Sequence, residues 1–376
     1  MHEDFDTDLR ELASRGRLRG LCERAGIDFT SNDYLGLAES EELTRAAADA
    51  LARGVPVGSG GSRLLRGNHP EHEALESEAA AYFGAETALY FGGGYIANFA
   101  IFSTLPQRGD LVVHDELIHA SVHEGLRRGR ADFVAVPHNN VDAFDAAIVR
   151  WRAAGGKGRA WLAIESLYSM DGDSPDLAEM FAVADRHDAM VVIDEAHATG
   201  VLGPQGRGLA AAFEGRDNVI TLHTCGKALG TSGGFILAPR IVRDFLVNRA
   251  RPFIFATAPS PLIAAVTRVA LEISRTNPER RDRLVRLVQF AGAELRRRCN
   301  IGGSGSHILP VIIGADQAAV AVAASLQRRG FDVRAIRPPT VAEGTARLRI
   351  ALTANVNEAI VADLFEALVE DMRKTA

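Results

Sequence analysis

Between residues 71 and 238, seven short apolar runs alternate with helix-like stretches, and this alternation restricts the fold more than anything else in the chain. The runs fall at 87–91, 110–114, 133–137, 160–165, 190–194, 219–223 and 234–238. They are continuous rather than alternating, as strands buried on both faces are. Helical stretches at 71–83, 141–153 and 177–187 lie between many of them. Strands separated by helices imply parallel crossovers and a sheet covered on both sides, so the region predicts an α/β domain.

The texture changes after about residue 268, where helices at 278–298 and 316–329 alternate with short strands at 308–313, 332–335 and 347–352. That pattern predicts a smaller α+β unit. Residues 1–39 read as an arm with a charged helix near 8–24. The expected division is therefore 1–39, 40–268 and 269–376.

Composition bounds the function. The 376 residues are 47% hydrophobic and 24% charged with a net charge of −6, which gives no general electrostatic reason to bind nucleic acid or an anionic membrane. The arginines at 15, 17, 19 and 24 read as a solvated helix face. Three scattered cysteines make neither a disulfide framework nor a zinc ribbon. The acidic amino terminus lacks an apolar signal region, and no stretch reaches the roughly 18 apolar residues of a spanning helix. A cytoplasmic protein is expected.

The chemistry concentrates in Asp194, His197 and Lys227. Asp194 ends a predicted buried strand, where ligands of open parallel sheets collect. A carboxylate can hold a ring nitrogen protonated, His197 can donate to a ring oxygen, and a desolvated lysine can bond a carbonyl. The string Asp194-Glu-Ala-His197 also spells a helicase box, but that requires the phosphate loop G-x-x-x-x-G-K-[ST]. At the nearest candidate, Thr221 replaces the first glycine and Ala228 the Ser/Thr. Gly92-Gly-Gly-Tyr95 follows a strand and opens a helix, so Gly94 and Tyr95 offer amides to a phosphate. The same residues match a dinucleotide fingerprint, with Asp115 at ribose distance, which keeps a dehydrogenase in view. His119 and His123 are four apart, but neither the metalloprotease order nor a third ligand accompanies them, so no metal site is expected. Arg347 and Arg349 share one side of a strand and suit carboxylates.

These residues stand in order with Ser31-Asn-Asp-Tyr-Leu-Gly-Leu37, Gly58-Ser-Gly-Gly-Ser62, Gly67-Asn-His-Pro70, His119-Ala-Ser121, Ser169-Met-Asp-Gly-Asp173, Gly226-Lys227 and Arg347-Leu-Arg349. Together they resemble the α-oxoamine synthase family of fold-type I pyridoxal phosphate enzymes over nearly the whole chain. The resemblance implies a central, mostly parallel seven-stranded sheet with a smaller α+β C-terminal domain and an N-terminal arm. It implies pyridoxal 5'-phosphate as cofactor and a homodimer with the active site at the subunit interface. At matching positions it implies Lys227 bonded to the cofactor, Asp194 on the pyridinium nitrogen, His197 on the phenolic oxygen, His119 stacked on the ring and Ser169 close by. Gly94, Tyr95 and Thr224 would hold the phosphate, together with the partner subunit's Thr257. Asn32 and Arg349 would grip the substrate carboxylate, and an arm arginine, assigned to Arg19, the far carboxylate of the acyl chain.

The implied activity is decarboxylative condensation of an amino acid with an acyl thioester. Ile336-Arg-Pro-Pro-Thr-Val341 ahead of Gly344-Thr-Ala-Arg-Leu-Arg349 is most similar to the biotin-pathway branch. That branch implies L-alanine and a pimeloyl thioester, carried by coenzyme A or an acyl carrier protein. Branches using glycine or serine (2-amino-3-oxobutyrate ligase, 5-aminolevulinate synthase, serine palmitoyltransferase) share the cofactor residues and stay open as alternatives.

Overall fold

A computed structural model describes residues 2–375; residues 1 and 376, the outermost positions of the expected arm and C-terminal domain, lie outside it. The chain divides into two compact units. The larger comprises Leu35–Tyr168 and Ser174–Arg281, and the smaller Met1–Tyr34, Ser169–Asp173 and Asp282–Ala376. The division thus falls near 34 and 281, whereas the sequence places boundaries at 39 and 268. Packing accounts for both offsets: Pro261–Thr276 lies on helices Glu41–Ala52 and Pro70–Phe83, while Ile27–Asp28 pairs with Phe331–Asp332.

The larger unit is built on seven strands: β1 (Thr87–Phe91), β2 (Leu111–Asp115), β3 (Asp132–Val136), β4 (Ala160–Glu165), β5 (Met190–Asp194), β6 (Val219–Thr224) and β7 (Gly234–Ala238). Their order is β1-β7-β6-β5-β4-β2-β3, and only β7 runs antiparallel to its neighbours. The expected mostly parallel seven-stranded sheet is present. Side chains alternate across it and build two cores. Val112, Trp161, Val192 and Ile220 pack with Ala97, Ile101 and Leu126, residues of helices α1 (Gly94–Thr104) and α2 (Ala120–Arg128). Val113, Leu162, Val191 and Ile193 pack on the other face with Phe144, Ile148, Met180 and Phe181. The strands other than the edge strand β3 are buried throughout, which explains their continuous apolar runs.

The smaller unit holds an antiparallel sheet of β8 (Ile308–Gly314), β9 (Arg334–Ile336) and β10 (Ala346–Ala351), with β10 central. The strand expected at 332–335 is divided, because Phe331–Asp332 pairs with Ile27–Asp28 while β9 pairs with β10. The arm helix runs Glu3–Ser14 rather than 8–24. Gly16 adopts φ +68°, which ends the helix, and Arg17 then turns to ion pairs with Asp316 (2.6 Å) and Glu343 (2.5 Å). Among the described residues, no helix is long and apolar enough to cross a membrane.

Candidate active site

Three strands of the larger unit deliver polar groups at their carboxyl ends: Glu165 on β4, Asp194 on β5 and Thr224 on β6. Register aligns Glu165 with Asp194, and Thr224 with Gly234. Helix α1 starts after β1 with Gly93 as its cap and no capping side chain, so the amides of its first turn are open to a ligand. A Cβ on Gly92 or Gly93 would meet nothing within 4 Å, while one on Gly94 would stand 3.5 Å from the Thr224 hydroxyl. Gly234 packs against Gly94 so closely that its own Cβ would lie 3.0 Å from Gly94 Cα. Two glycines thus let a strand end meet a helix start. The result is a small cavity-edge of free N–H groups plus a hydroxyl, a donor set suited to phosphate.

Asp194 is buried, 7% exposed, and both its oxygens accept hydrogen bonds. Ala196 N–H donates to Oδ1 at 2.9 Å and Asn98 Nδ2 to Oδ2 at 2.6 Å. Asn98 Nδ2 also donates to Ser121 Oγ at 3.0 Å, and that hydroxyl lies 2.8 Å from His119 Nδ1. A continuous hydrogen-bonded string therefore joins Asp194 to His119. The His119 ring stands edge-on to Tyr95, with centroids 6.1 Å apart. Loss of water around the ring lowers its proton affinity, Asp194 works against this and Lys227 adds to it, although the residue as a whole is exposed. His197 is buried, and its Nε2 lies 2.7 Å from Lys227 Nζ. Cys225, Ala228 and Leu229 around the lysine loop are buried, as a tucked lysine requires.

Four expected residues lie in the smaller unit: Arg19, Asn32, Ser169 and Arg349. Arg349, 7% exposed, donates from Nε to the Ser169 carbonyl (2.6 Å) and from Nη2 to Asn32 Oδ1 (3.0 Å) and Tyr34 Oη (3.3 Å). Tyr34 Oη in turn donates to Asn32 Oδ1 at 2.9 Å. No acidic side chain pairs with Arg349 among the described residues. Its neighbour on the same strand face differs, because Arg347 is paired with Asp171 at 2.5 Å. One of the two strand arginines is thus neutralised, and the other is buried without an acidic partner among the described residues.

Arg19 lies apart from Arg349, on a cavity of about 520 Å³ walled by Leu9, Leu12, Leu18, Pro338 and Val341. Among the described residues its guanidinium reaches only Thr340 Oγ1, at 3.4 Å, whereas Arg15 pairs with Glu11 and Arg17 with two acids. Thr257 is exposed on the loop ahead of Pro261–Thr276, where Ala258 N–H donates to Gly61.

Sequence reasoning passed over Asn98, Ser121, Glu165 and Tyr34. Asn98 lies one turn after Gly94 on the same helix face, and Glu165 ends a predicted strand beside Asp194, so both positions carried a signal. The dinucleotide alternative fails at Asp115. Its carboxylate takes Leu117 and Asn139 amides at 2.8 and 2.7 Å and pairs with His138 at 2.9 Å, leaving no group for a ribose.

A seven-stranded sheet with one reversed strand, carrying an acid, a tucked lysine and a glycine-started helix at its ligand end, defines a fold-type I pyridoxal phosphate enzyme. The chain belongs to the aminotransferase class I and II family, whose sequence model matches residues 24–368. It is 44% identical to 8-amino-7-oxononanoate synthase of Anaeromyxobacter dehalogenans strain 2CP-1 over 92% of this chain and 86% of that one. With the Chromobacterium violaceum protein of the same name, identity is 40% over 94% of each. Among solved structures it superposes on serine palmitoyltransferase from S. paucimobilis with bound PLP–myriocin aldimine, at a TM-score of 0.90 and 26% identity, covering all of this chain and 98% of that one.

Proposed function

We propose that the chain is a pyridoxal phosphate-dependent acyltransferase that condenses L-alanine with a pimeloyl thioester, releasing carbon dioxide and free thiol to give 8-amino-7-oxononanoate for biotin synthesis. The observation that carries this reading is identity of 40% or more, over nine-tenths of the chain, with relatives bearing that enzyme's name.

The residues fit the cofactor. The free amides at Gly94 and Tyr95 and the Thr224 hydroxyl suit a phosphate, and Asp194, held by one donor on each oxygen with a lone pair to spare, suits a protonated ring nitrogen. When bound, pyridoxal phosphate supplies the electron sink that lets a bond at an amino acid's Cα break. Lys227 Nζ would be the amine that holds the cofactor's carbonyl and the base for the Cα proton, with His197 2.7 Å away in hydrogen-bond contact with it. His119 would lie against the ring, held by Ser121. Thr257 serves the phosphate of a second copy, so the active form is a homodimer.

Arg349 and Asn32 take the amino acid's carboxylate, the anion that a buried, uncompensated guanidinium calls for, with Ser169 fixing the arginine's orientation through its carbonyl. Arg19 takes the far carboxylate of the acyl chain. The apolar walls at Leu9, Leu12, Leu18 and Pro338 suit methylene groups, and Arg19 is the cation on that cavity without an acidic partner among the described residues. The enzyme works in the cytoplasm, on coenzyme A or carrier-protein thioesters.

The test is a substrate matrix of alanine, glycine and serine against pimeloyl, acetyl, succinyl and palmitoyl thioesters, reading thiol and carbon dioxide release. Alanine with pimeloyl thioester is expected to lead. Turnover of glycine with a short acyl thioester, and none of alanine with pimeloyl, would overturn the assignment.

A further inference from the structure

Glu165 ends β4 in register with Asp194 on β5. Neighbours in register on parallel strands project to the same side of a sheet, here the side from which Asn98 reaches Asp194. Both carboxyls are buried, with 2% and 7% of the residue exposed. Their surroundings are unequal. Asp194 has a donor on each oxygen, whereas Oε1 of Glu165 is buried with no partner among the described residues.

Two carboxylates side by side in a dry site cannot both stay ionised, and the one with more donors keeps the charge. A buried oxygen without a partner is costly unless something in the site completes it. A protonated Oε1 would be a donor, and the acceptor it suits is an anionic oxygen on a bound ring. We propose that Glu165 is present as the neutral acid and that its Oε1–H donates a hydrogen bond to the ligand of this site, leaving the negative charge to Asp194.

The groups facing Glu165 support this. Burial raises its proton affinity well above the ordinary carboxyl range, and Asp194 and Asp115 raise it further, while Lys227 and the His119 N–H act the other way. A neutral acid here also preserves the site's electrostatics, since a second anion would compete with Asp194 for the charge of the ring nitrogen.

The inference rests on pyridoxal phosphate being the ligand, and two readouts separate its failure from failure of that reading. Infrared difference spectra of wild type minus Glu165→Gln, with and without cofactor, are expected to show a protonated-carboxyl carbonyl band that persists to pH 8. Pyridoxal phosphate affinity, read by equilibrium dialysis, is expected to stay within about threefold in Glu165→Gln, which keeps a donor, and to fall about tenfold or more in Glu165→Leu, which has none. In the loaded protein the pH titration of the visible absorption should not move in Glu165→Gln, because no charge is removed. Absence of the band at pH 8, or a titration shifted by about one pH unit, overturns the neutral acid. Unchanged cofactor affinity in Glu165→Leu overturns the donor. If Glu165→Leu does not fold, the band and the Gln titration still decide. Failure of wild type to bind pyridoxal phosphate would instead sink the cofactor reading.

Discussion

Lys227 Nζ lies 2.7 Å from Nε2 of His197, two residues brought together by the ends of β5 and β6 although thirty positions separate them in sequence. A hydrogen bond at this distance needs one nitrogen to donate and the other to accept, so the two groups cannot both be charged. Borohydride treatment of the cofactor-loaded protein should fix the cofactor to Lys227, seen by peptide mass. Lys227→Ala should bind cofactor without covalent capture and lose turnover by at least about 10³-fold. Covalent capture at another lysine would show that the loop has been misassigned.

Asn98 supplies the second prediction. Its amide donates to Asp194 Oδ2 at 2.6 Å and to Ser121 Oγ at 3.0 Å, a charge-assisted bond inside a dry site. Bonds to ionised groups contribute about 1.5–3 kcal/mol. Asn98→Leu should therefore weaken pyridoxal phosphate binding roughly tenfold or more, with a smaller loss in Asn98→Asp only at pH values where the new acid is protonated. Unchanged affinity in Asn98→Leu would remove Asn98 from the site.

The sheet was legible because its strands are buried on both faces and so wrote themselves as apolar runs; even β7, reversed in direction, is as apolar as its parallel neighbours. Direction leaves no mark in such a run. Asp194, His197 and Lys227 were readable because a strand end fixes where a side chain goes. Asn98 and Glu165 stood at legible positions, one turn into a helix and at a strand end, but what they contact depends on neighbours from separate elements, which no spacing in the sequence records. The two arginines of β10 looked alike for the same reason. Only the position of Asp171 neutralises one and leaves the other without an acidic partner among the described residues.

That difference is testable. Arg349→Lys keeps a charge but loses the fork that spans Ser169, Asn32 and a carboxylate, so the KM for alanine should rise about tenfold or more with little change in melting temperature. Arg347→Leu strands Asp171, which is 31% exposed on its side chain and can rehydrate, so it should lower stability modestly and leave the alanine KM near wild type. If Arg347→Leu raised KM as much as Arg349→Lys, both arginines would belong to the substrate site.

The last prediction concerns pH. Burial pushes the Glu214 carboxyl up to about 7, and the Thr221 hydroxyl donates to it at 2.5 Å. Unfolded, the group titrates in the ordinary carboxyl range near 4.3. Between those values the folded chain holds more protons than the unfolded chain, so stability falls as pH rises through this window and levels off above 7. The full difference would make that loss about 4 kcal/mol; Glu214 is only partly sheltered from solvent, so about 1–2 kcal/mol is expected. Glu214→Gln still accepts from Thr221 but never ionises. Its stability relative to wild type, from urea melts, should therefore improve by about 1–2 kcal/mol between pH 5 and pH 8. A constant offset across that range would mean that Glu214 titrates where an ordinary carboxyl does.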